Sequence, residues 1–321
     1  MLSRVADSLY WTSRYLERAE HTVRILDVNI GLMLDKSQTS AERRWRRVLA
    51  ALGHPTKVEW SDDAYALVHT LCFDTSRPAS VTACIISARE NARQIREEIS
   101  SEQWQRLNRL FHEIAKLRTP VPSDLQMAEF LPAVIDGIHL FQGVSDTTLS
   151  HGEGWQFLQL GRFLERASVI ATLLEVYHRD VFMMDEEDTI DAYEYLEWIG
   201  LLRTCTAFEA YCKVYTADLT YERILEFLLL NAEFPHSLRY SIDRVYAALE
   251  AVEQQTRGQH ASELMRIAGR LKAQLSYSRM QEILEQDTGR YLRSVLEQCW
   301  QIHAAIYEVY IQYSVQTALA V

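Results

Sequence analysis

The first thirty residues carry an apolar seam that constrains the fold more than any other feature of the sequence. Its positions follow spacings of 4, 3, 4, 3, 4, 3 and 4, and they are Val5, Leu9, Thr12, Leu16, Ala19, Val23, Leu26 and Ile30. An α-helix places such positions on one face, so the pattern predicts a long helix with one buried stripe. A chain that opens with this helix must bury the stripe against further elements.

The composition indicates that those further elements are also helices. Glycine and proline supply 17 of 321 residues, about 5%, whereas average proteins use roughly 12%. Barrels, sandwiches and propellers need many tight turns, so this composition excludes them. We expect an all-α protein, with further helices at residues 40–52, 61–72, 79–118, 123–142, 152–182, 187–213, 221–230, 235–257, 260–287 and 289–319.

An internal repeat organises these helices. The segment 13–28, SRYLERAEHTVRILDV, aligns with 161–176, GRFLERASVIATLLEV, at an offset of 148, and seven of sixteen positions are identical. Two weaker matches follow in the same order along the chain. The first of them aligns residues 45–49 with residues 198–202 at an offset of 153. The third match pairs the segments beginning at Asp74 and Asn231 at offset 157, and it predicts helix-capping turns around Ser80 and Ser237. The ordered set indicates one duplicated unit with small insertions.

The repeat predicts one domain over residues 1–321. We expect a helical bundle of two duplicated halves, approximately 1–148 and 149–321, packed around a pseudo-twofold axis. The second copy of the repeated helix is apolar over much of its circumference, so it should lie deeper in the bundle than the first.

Charge and cysteine content restrict the setting. The net charge of −11 argues against nucleic-acid binding, because phosphate backbones require clustered cations. No segment approaches the apolar length of a membrane span or a secretory signal. The five cysteines are widely spaced and odd in number, which is typical of reduced thiols. A cytoplasmic protein is therefore expected.

The repeated core of the two copies is a pair of charged motifs. Arg14, Glu17 and Arg18 form the first motif, and Arg162, Glu165 and Arg166 form the second. In one interpretation the charges pair between the halves, Glu17 with Arg166 and Glu165 with Arg18, and fix their register. In the other, the motifs line a polar cleft in which guanidinium groups hold an anion.

A second arginine cluster follows Pro78. Arg89, Arg93 and Arg96 recur at i, i+4 and i+7, so within one helix they would share a face. Such a face would bind a phosphate or an acidic patch of a partner, or it would serve internal ion pairs.

Other kinds of site have weaker support. Glu175 and His178 have the Glu-x-x-His spacing of di-iron bundles, but the first copy has no equivalent histidine. The acidic run 185–188 lacks the glycine of a calcium loop and is expected to be solvated. No nucleophile elbow and no phosphate-binding glycine loop is present. We therefore expect neither a metal nor a cofactor.

These motifs resemble a known family. The opening SRVADSLYWTSRYLERAEHTVRILDV and the later FLQLGRFLERA are similar to the bacterial alpha-E domain family, an all-helical domain named for its Glu and Arg motif. The resemblance extends over essentially the whole chain and marks the six motif residues as the family's signature. One departure is Ser13, where the family usually has glycine and the second copy has Gly161.

The resemblance implies a biochemical context. Alpha-E domains are fused to, or encoded beside, circularly permuted ATP-grasp amide ligases and transglutaminase-like peptidases, in systems that make or modify peptides. The sequence then favours a non-enzymatic helical accessory protein that binds the ligase, or its peptide or other anionic substrate. One alternative is an enzyme with Glu17 or Glu165 as general base. A metal-binding bundle is the other.

Overall fold

The computed structural model describes residues 1–34, 41–53, 62–117, 124–182, 190–216, 218–256 and 262–312. Within these ranges the chain is all-helical and has no strand, which confirms the predicted fold class. None of the described helices is both long enough and apolar enough to cross a membrane. The acidic run 185–188 lies outside the described residues.

The described helices vary in length from 6 to 32 residues. In chain order they are α1 (Ser3–Leu34), α2 (Ala41–Ala51), α3 (Ala64–Phe73), α4 (Val81–Gln94), α5 (Ser101–Leu117), α6 (Asp124–Thr148), α7 (Glu153–Phe182), α8 (Ile190–Thr204), α9 (Phe208–Tyr215), α10 (Tyr221–Leu230), α11 (Leu238–Thr256), α12 (Ser262–Tyr277), α13 (Met280–Glu285) and α14 (Thr288–Ile306). A π-helical turn, Tyr307–Ile311, follows α14.

The two longest helices, α1 and α7, form the centre of the bundle and pack against each other. The seam of α1 is buried as predicted, with only Ile30 reaching the surface in part. Around this pair, α4 and α6 pack on α1, while α11 and α14 pack on α7. The outer helices α5 and α12 complete the layers, α5 against α4 and α6, and α12 against α11 and α14. One continuous apolar core results.

Three of the predicted helices are interrupted, and each interruption has a local cause. The helix predicted at 79–118 breaks because Ser100 and Gln103 cap each other's backbone N–H groups and begin α5. The helix predicted at 187–213 breaks at Thr206, which has a φ of 52°. The helix predicted at 260–287 breaks where Arg279 adopts an extended backbone ahead of α13.

The predicted capping turns are present in both halves of the chain. The hydroxyl of Ser80 accepts a hydrogen bond from the backbone N–H of Ala83, over 3.2 Å, at the start of α4. The hydroxyl of Ser237 accepts one from Tyr240, over 3.0 Å, at the start of α11. All five cysteines are free thiols, and four of them are buried.

Candidate functional site

The two motif-bearing helices approach each other closely where they cross. A Cβ atom added to Gly161 of α7 would lie 2.1 Å from the carbonyl oxygen of Tyr10 and 3.1 Å from the Cβ of Ser13. No side chain fits at position 161, so this glycine permits the crossing. Gly161 also explains why α1 tolerates serine at position 13, because only one of the two helices needs to lack a side chain.

The crossing places Glu165 of α7 between two arginines of α1. Arg14 Nε donates to Glu165 Oε2 over 2.6 Å, and Arg18 Nε donates to Glu165 Oε1 over 2.6 Å. Burial alone would raise the pKa of Glu165, but the charges of the two guanidinium groups lower it overall. Glu165 is therefore an ionised carboxylate with a guanidinium on each oxygen.

Tyr10 and His303 close this group of charges on the side of Arg14. Arg14 Nη1 lies 2.9 Å from His303 Nδ1 and 3.2 Å from Tyr10 Oη. Tyr10 Oη in turn lies 2.8 Å from His303 Nδ1. Burial, reinforced by Arg14, lowers the pKa of His303 to about 4, so its ring is neutral at pH 7 and Nδ1 acts as acceptor. We call Tyr10, Arg14, Arg18, Glu165 and His303 the Glu165 cluster.

Glu17 of α1 makes the reciprocal contacts with α7. Arg166 holds it with two hydrogen bonds, Nε to Oε1 over 2.5 Å and Nη2 to Oε2 over 2.9 Å, and also donates to the carbonyl of Pro235. Arg162 Nε lies 3.7 Å from Glu17 Oε2 and has no hydrogen-bond partner. We call Glu17, Arg162 and Arg166 the Glu17 cluster. The cross-pairing predicted from the sequence is thus present.

A third carboxylate, Glu20, lies beside the Glu17 cluster. Glu20 Oε1 accepts from Arg24 Nη2 over 2.8 Å and lies 3.0 Å from His139 Nε2 of α6. Burial would raise the pKa of Glu20, but the hydrogen bond with His139 and the charges of Arg24 and Arg166 hold it well below its usual range. Helix α6 therefore joins the buried charge network of α1 and α7.

The two clusters share one arrangement of charge and exposure. Each glutamate faces two arginines, so each cluster has one guanidinium in excess. In each cluster, one arginine is buried and the other is partly exposed. In the Glu165 cluster the side chain of Arg14 is 10% exposed and that of Arg18 is 29% exposed. In the Glu17 cluster the side chain of Arg166 is 2% exposed and that of Arg162 is 28% exposed. Burial and the neighbouring Arg166 lower the pKa of Arg162, which shows that its charge is incompletely compensated.

The predicted arginine face after Pro78 is not a single face. Helix α4 ends at Gln94, so Arg96 lies beyond it and does not continue the row of Arg89 and Arg93. Arg89 donates to Asn108 and Glu90 and packs over the ring of Phe111, with 4.5 Å from its guanidinium carbon to the ring centroid. These contacts occupy Arg89 in the packing of α4 against α5.

Arg93 and Arg96 also have partners at the surface. Arg93 pairs with Glu90 over 2.8 Å, within its own helix. Arg96 lies over the ring of Trp104, 5.3 Å from the ring centroid. The three arginines therefore make separate contacts, Arg89 and Arg96 with α5 and Arg93 within α4, because α4 ends before Arg96.

The structure gives the Glu-x-x-His pair on α7 other partners. His178 Nδ1 lies 2.6 Å from the hydroxyl of Tyr221, and Glu175 faces Arg293 at 3.7 Å. Among the described residues, no group of three or more His, Cys, Asp or Glu side chains converges as a metal site would require. Within that part of the chain, the metal-binding alternative gains no geometric support.

Sequence reasoning missed His303 of the Glu165 cluster and His139, which contacts Glu20 beside the Glu17 cluster, although a signal was present. Ile138-His139 in α6 and Ile302-His303 in α14 repeat at an offset of 164, which extends the rising series 148, 153 and 157. Each histidine projects from an outer helix onto the charged residues of α1. A two-residue match is too short to notice until the structure places each histidine against charged residues of α1.

A further buried network, also missed, joins α2 to α7 and α8. Arg44 Nη2 donates to Glu197 Oε1 over 3.0 Å, and Arg47 pairs with the second oxygen of Glu197 and with Asp180. Arg43 Nε donates to the other oxygen of Asp180 over 3.1 Å. The partners lie more than 130 residues apart in the sequence, so local spacing could not predict them.

The geometry therefore defines an all-helical protein whose two central helices are clasped by reciprocal Glu-Arg pairs. Residues 1–311 match the Alpha-E family, described as a predicted alpha-helical domain with a conserved ER motif. This chain belongs to that family. Glu17-Arg18 and Glu165-Arg166 are the Glu-Arg sequences of the two central helices.

The chain is also similar to longer mycobacterial proteins. Two uncharacterized proteins, one from Mycobacterium bovis and one from Mycobacterium tuberculosis, are each 23% identical to it over 326 aligned residues. The alignment covers 95% of this chain but only 36% of each relative. The chain thus spans about a third of the length of these relatives. No solved structure matches it.

Proposed function

We propose that this chain is a non-enzymatic helical accessory protein of an ATP-grasp amide-ligase system that makes or modifies peptides. It would bind the ligase, an associated transglutaminase-like protein, or an anionic group of the peptide substrate. The contact residues are Arg18 and Arg162, the partly exposed arginines of the two clusters. The four other motif residues hold these two in place.

The surplus guanidinium of each cluster is the observation that carries this proposal. Glu165 and Glu17 each carry one negative charge and face two arginines, so each cluster has one net positive charge, and one arginine of each cluster reaches solvent. Arg18 is fixed through Nε, which leaves its terminal N–H groups for bidentate pairing with a carboxylate or phosphate. Nε of Arg162 has no hydrogen-bond partner, so this arginine also has donor capacity to offer.

The length of the relatives supports an accessory role. In both mycobacterial proteins the matching region accounts for 36% of a longer chain, so the similar region occurs there beside other protein segments. The free, mostly buried cysteines fit a cytoplasmic setting, which we propose for this protein.

The geometry favours this role over general-base catalysis. A general base must reach the proton of its substrate and have a pKa near the working pH. Both oxygens of Glu165 accept hydrogen bonds from arginine, and its pKa is lowered, which makes it a poor base at neutral pH. Both oxygens of Glu17 are likewise held by Arg166. Both carboxylates are buried and engaged in orienting arginines.

We further propose that the bundle consists of two duplicated halves, 1–148 and 149–321, around a pseudo-twofold axis. The starts of α3 and α10, and those of α4 and α11, are both separated by 157 residues. Residues equivalent by the repeat also contact each other, since Gly161 approaches Ser13 and Arg44 pairs with Glu197. Contacts between equivalent residues are expected on such an axis. Superposition of the halves in an experimental structure tests this architecture.

The functional test is a binding measurement with the ligase. The full chain is immobilised, and a circularly permuted ATP-grasp ligase from the same genome is titrated with ATP and peptide. Wild type is expected to bind, and the double variant Arg18→Gln/Arg162→Gln to bind at least about tenfold more weakly, because two charge-assisted contacts are lost. Arg14 and Arg166 remain to hold the glutamates, so the variant should fold.

A matched control is Arg266→Gln, which removes the same charge from an exposed ion pair with Glu263 on α12. It should bind the ligase as wild type does. Equal binding by wild type and the double variant, or no complex with wild type, would contradict the proposal.

A further inference from the structure

A cavity of about 440 Å³ lies between α2 and the last turns of α7. Of the cavity's lining residues on α7, Val176 lies nearest to the clusters, and it is ten residues beyond Arg166, about 15 Å along the helix. The cavity is therefore separate from the Glu17 and Glu165 clusters. Its volume falls within the range of small-molecule sites in proteins.

The lining of the cavity is rich in arginine. Four arginines and two carboxylates face it, and they are Arg43, Arg46, Arg47, Arg179, Glu42 and Asp180. Each of the four arginines has a carboxylate partner, but four guanidinium groups are concentrated in one concave site of a protein whose net charge is −11. Concave sites concentrate the field of the charges that line them more strongly than flat surfaces do.

Two of these arginines form a fixed floor. Arg47 is buried, pairs with Asp180 Oδ2 over 3.0 Å, and lies 4.3 Å above the ring centroid of Tyr177. Arg43 Nε donates to Asp180 Oδ1 over 3.1 Å. Glu197 holds Arg47 from its other side. The floor guanidiniums are thus oriented before any ligand enters, which reduces the entropic cost of binding.

The other two arginines form a rim that can adjust. The side chain of Arg46 is 72% exposed and pairs with Glu42, one turn before it in α2. The side chain of Arg179 is 52% exposed, and its ion pair with Glu175 has a separation of 4.0 Å. Weak surface pairs of this kind exchange readily for a stronger anion. An anion on the floor would therefore be met from above by both rim arginines.

We propose that this cavity binds a ligand with two adjacent phosphate groups. Four guanidiniums around one space match the many oxygens and multiple charges of a diphosphate better than a single carboxylate. Ala50 and Val176 complete the wall and leave an apolar surface for the part of the ligand that carries the phosphates.

The probe is inorganic pyrophosphate, titrated calorimetrically into the full wild-type chain at low ionic strength. We expect saturable binding and a raised melting temperature, since a ligand that binds only the native state stabilises it. Citrate, which matches the charge but lacks phosphate geometry, should bind at least about tenfold more weakly. Equal binding of citrate overturns the diphosphate assignment, and absence of pyrophosphate binding overturns the site.

Variants locate the binding. Arg179→Gln and Arg46→Gln should each weaken pyrophosphate binding by about tenfold, because each removes a charge-assisted contact at an exposed residue. Arg266→Gln, the exposed control on α12, should leave it unchanged. Arg18→Gln/Arg162→Gln should also retain pyrophosphate binding, which separates this site from the proposed ligase contact. Binding that survives loss of both rim arginines would overturn the proposal.

Discussion

At the scale of single residues, arginine hydrogen bonds compensate the buried glutamates of the two clusters for their loss of hydration. Burying one carboxylate with one arginine is often close to neutral for stability, because both ions lose water. Glu165 instead receives a separate guanidinium on each oxygen, and Arg14 has Tyr10 and His303 as further partners. The pairs join helices 147 to 151 residues apart in sequence, so they specify which helices meet.

Replacing Glu165 by glutamine tests this interpretation. The variant leaves Arg14 and Arg18 near the bundle centre without their counter-charge, and loss of one partner of a buried pair costs about 3–5 kcal/mol. We expect the free energy of unfolding, measured by urea denaturation at pH 7, to fall by an amount of that order.

The matched control for this substitution is Glu113→Gln, at an exposed pair with Arg109 on α5. Exposed pairs contribute about 0–1 kcal/mol, so this variant should stay close to wild type. If Glu165→Gln and Glu113→Gln were equally stable, the clasp would have no structural role, and the glutamates would be retained for binding alone.

At the scale of helices, the bundle depends on how closely α1 and α7 approach. Gly161 allows the contact with Tyr10, and the side chains of both clusters reach across only at that separation. Helix-packing distances follow the size of the residues at the crossing point. By allowing this close approach, Gly161 brings the six Glu and Arg residues of the two motifs within hydrogen-bonding or ion-pairing distance.

Gly161→Ala is expected to be destabilising. The new Cβ would lie 2.1 Å from a backbone carbonyl oxygen, which cannot rotate away. Such overpacking typically costs about 1–3 kcal/mol. Gly143→Ala in α6 is the matched control, because nothing lies within 4 Å of the added Cβ. Alanine there should stabilise the helix by about 0.5–1 kcal/mol. Thermal melts of both variants should move in opposite directions, and parallel shifts would contradict the close-packed crossing.

The helix pattern was predictable to the extent that it depends on local sequence. Helix α7 was predicted at 152–182 and spans Glu153–Phe182, because its apolar positions and end signals are all local. The break at Ser100 was missed since its capping partner is a glutamine that also suits a helix interior. The break at Thr206 involves a left-handed backbone that threonine seldom adopts. Tertiary packing selected it against local preference.

At the scale of the whole molecule, histidines with lowered pKa are distributed over the bundle. Burial lowers the pKa of His21 and of His303 to about 4, and it also lowers those of His178 and His236. In each case the unfolded state takes up protons that the folded state does not. Stability is therefore expected to fall as the pH decreases from 6.5 towards 4.

His21 contributes a separable part of this pH dependence. Its buried Nε2 has no hydrogen-bond partner, and the shift from 6.5 to about 4 corresponds to a loss of about 2 kcal/mol between pH 7 and pH 5. Carboxylates such as Glu165, whose pKa values are lowered, contribute only below about pH 4.5. His21→Gln should reduce the fall in the free energy of unfolding between pH 7 and 5 by about 2 kcal/mol, measured by urea denaturation, while the other histidines keep their contributions. His151→Gln, at an exposed residue, should retain the wild-type slope. An unchanged slope in His21→Gln would refute the assignment.

The fold class, the family and the identity of the central helices could be inferred from the sequence. Those properties depend on helical periodicity, on the scarcity of turn residues, and on a motif that occurs twice in the chain. The environment of each charge follows from the folded arrangement. Whether Arg162 is compensated depends on its 3.7 Å separation from Glu17, and the arginine-lined cavity requires Arg47 and Asp180 to meet across 133 residues. Electrostatic interactions depend on distance and burial in space, and spacing along the chain specifies neither.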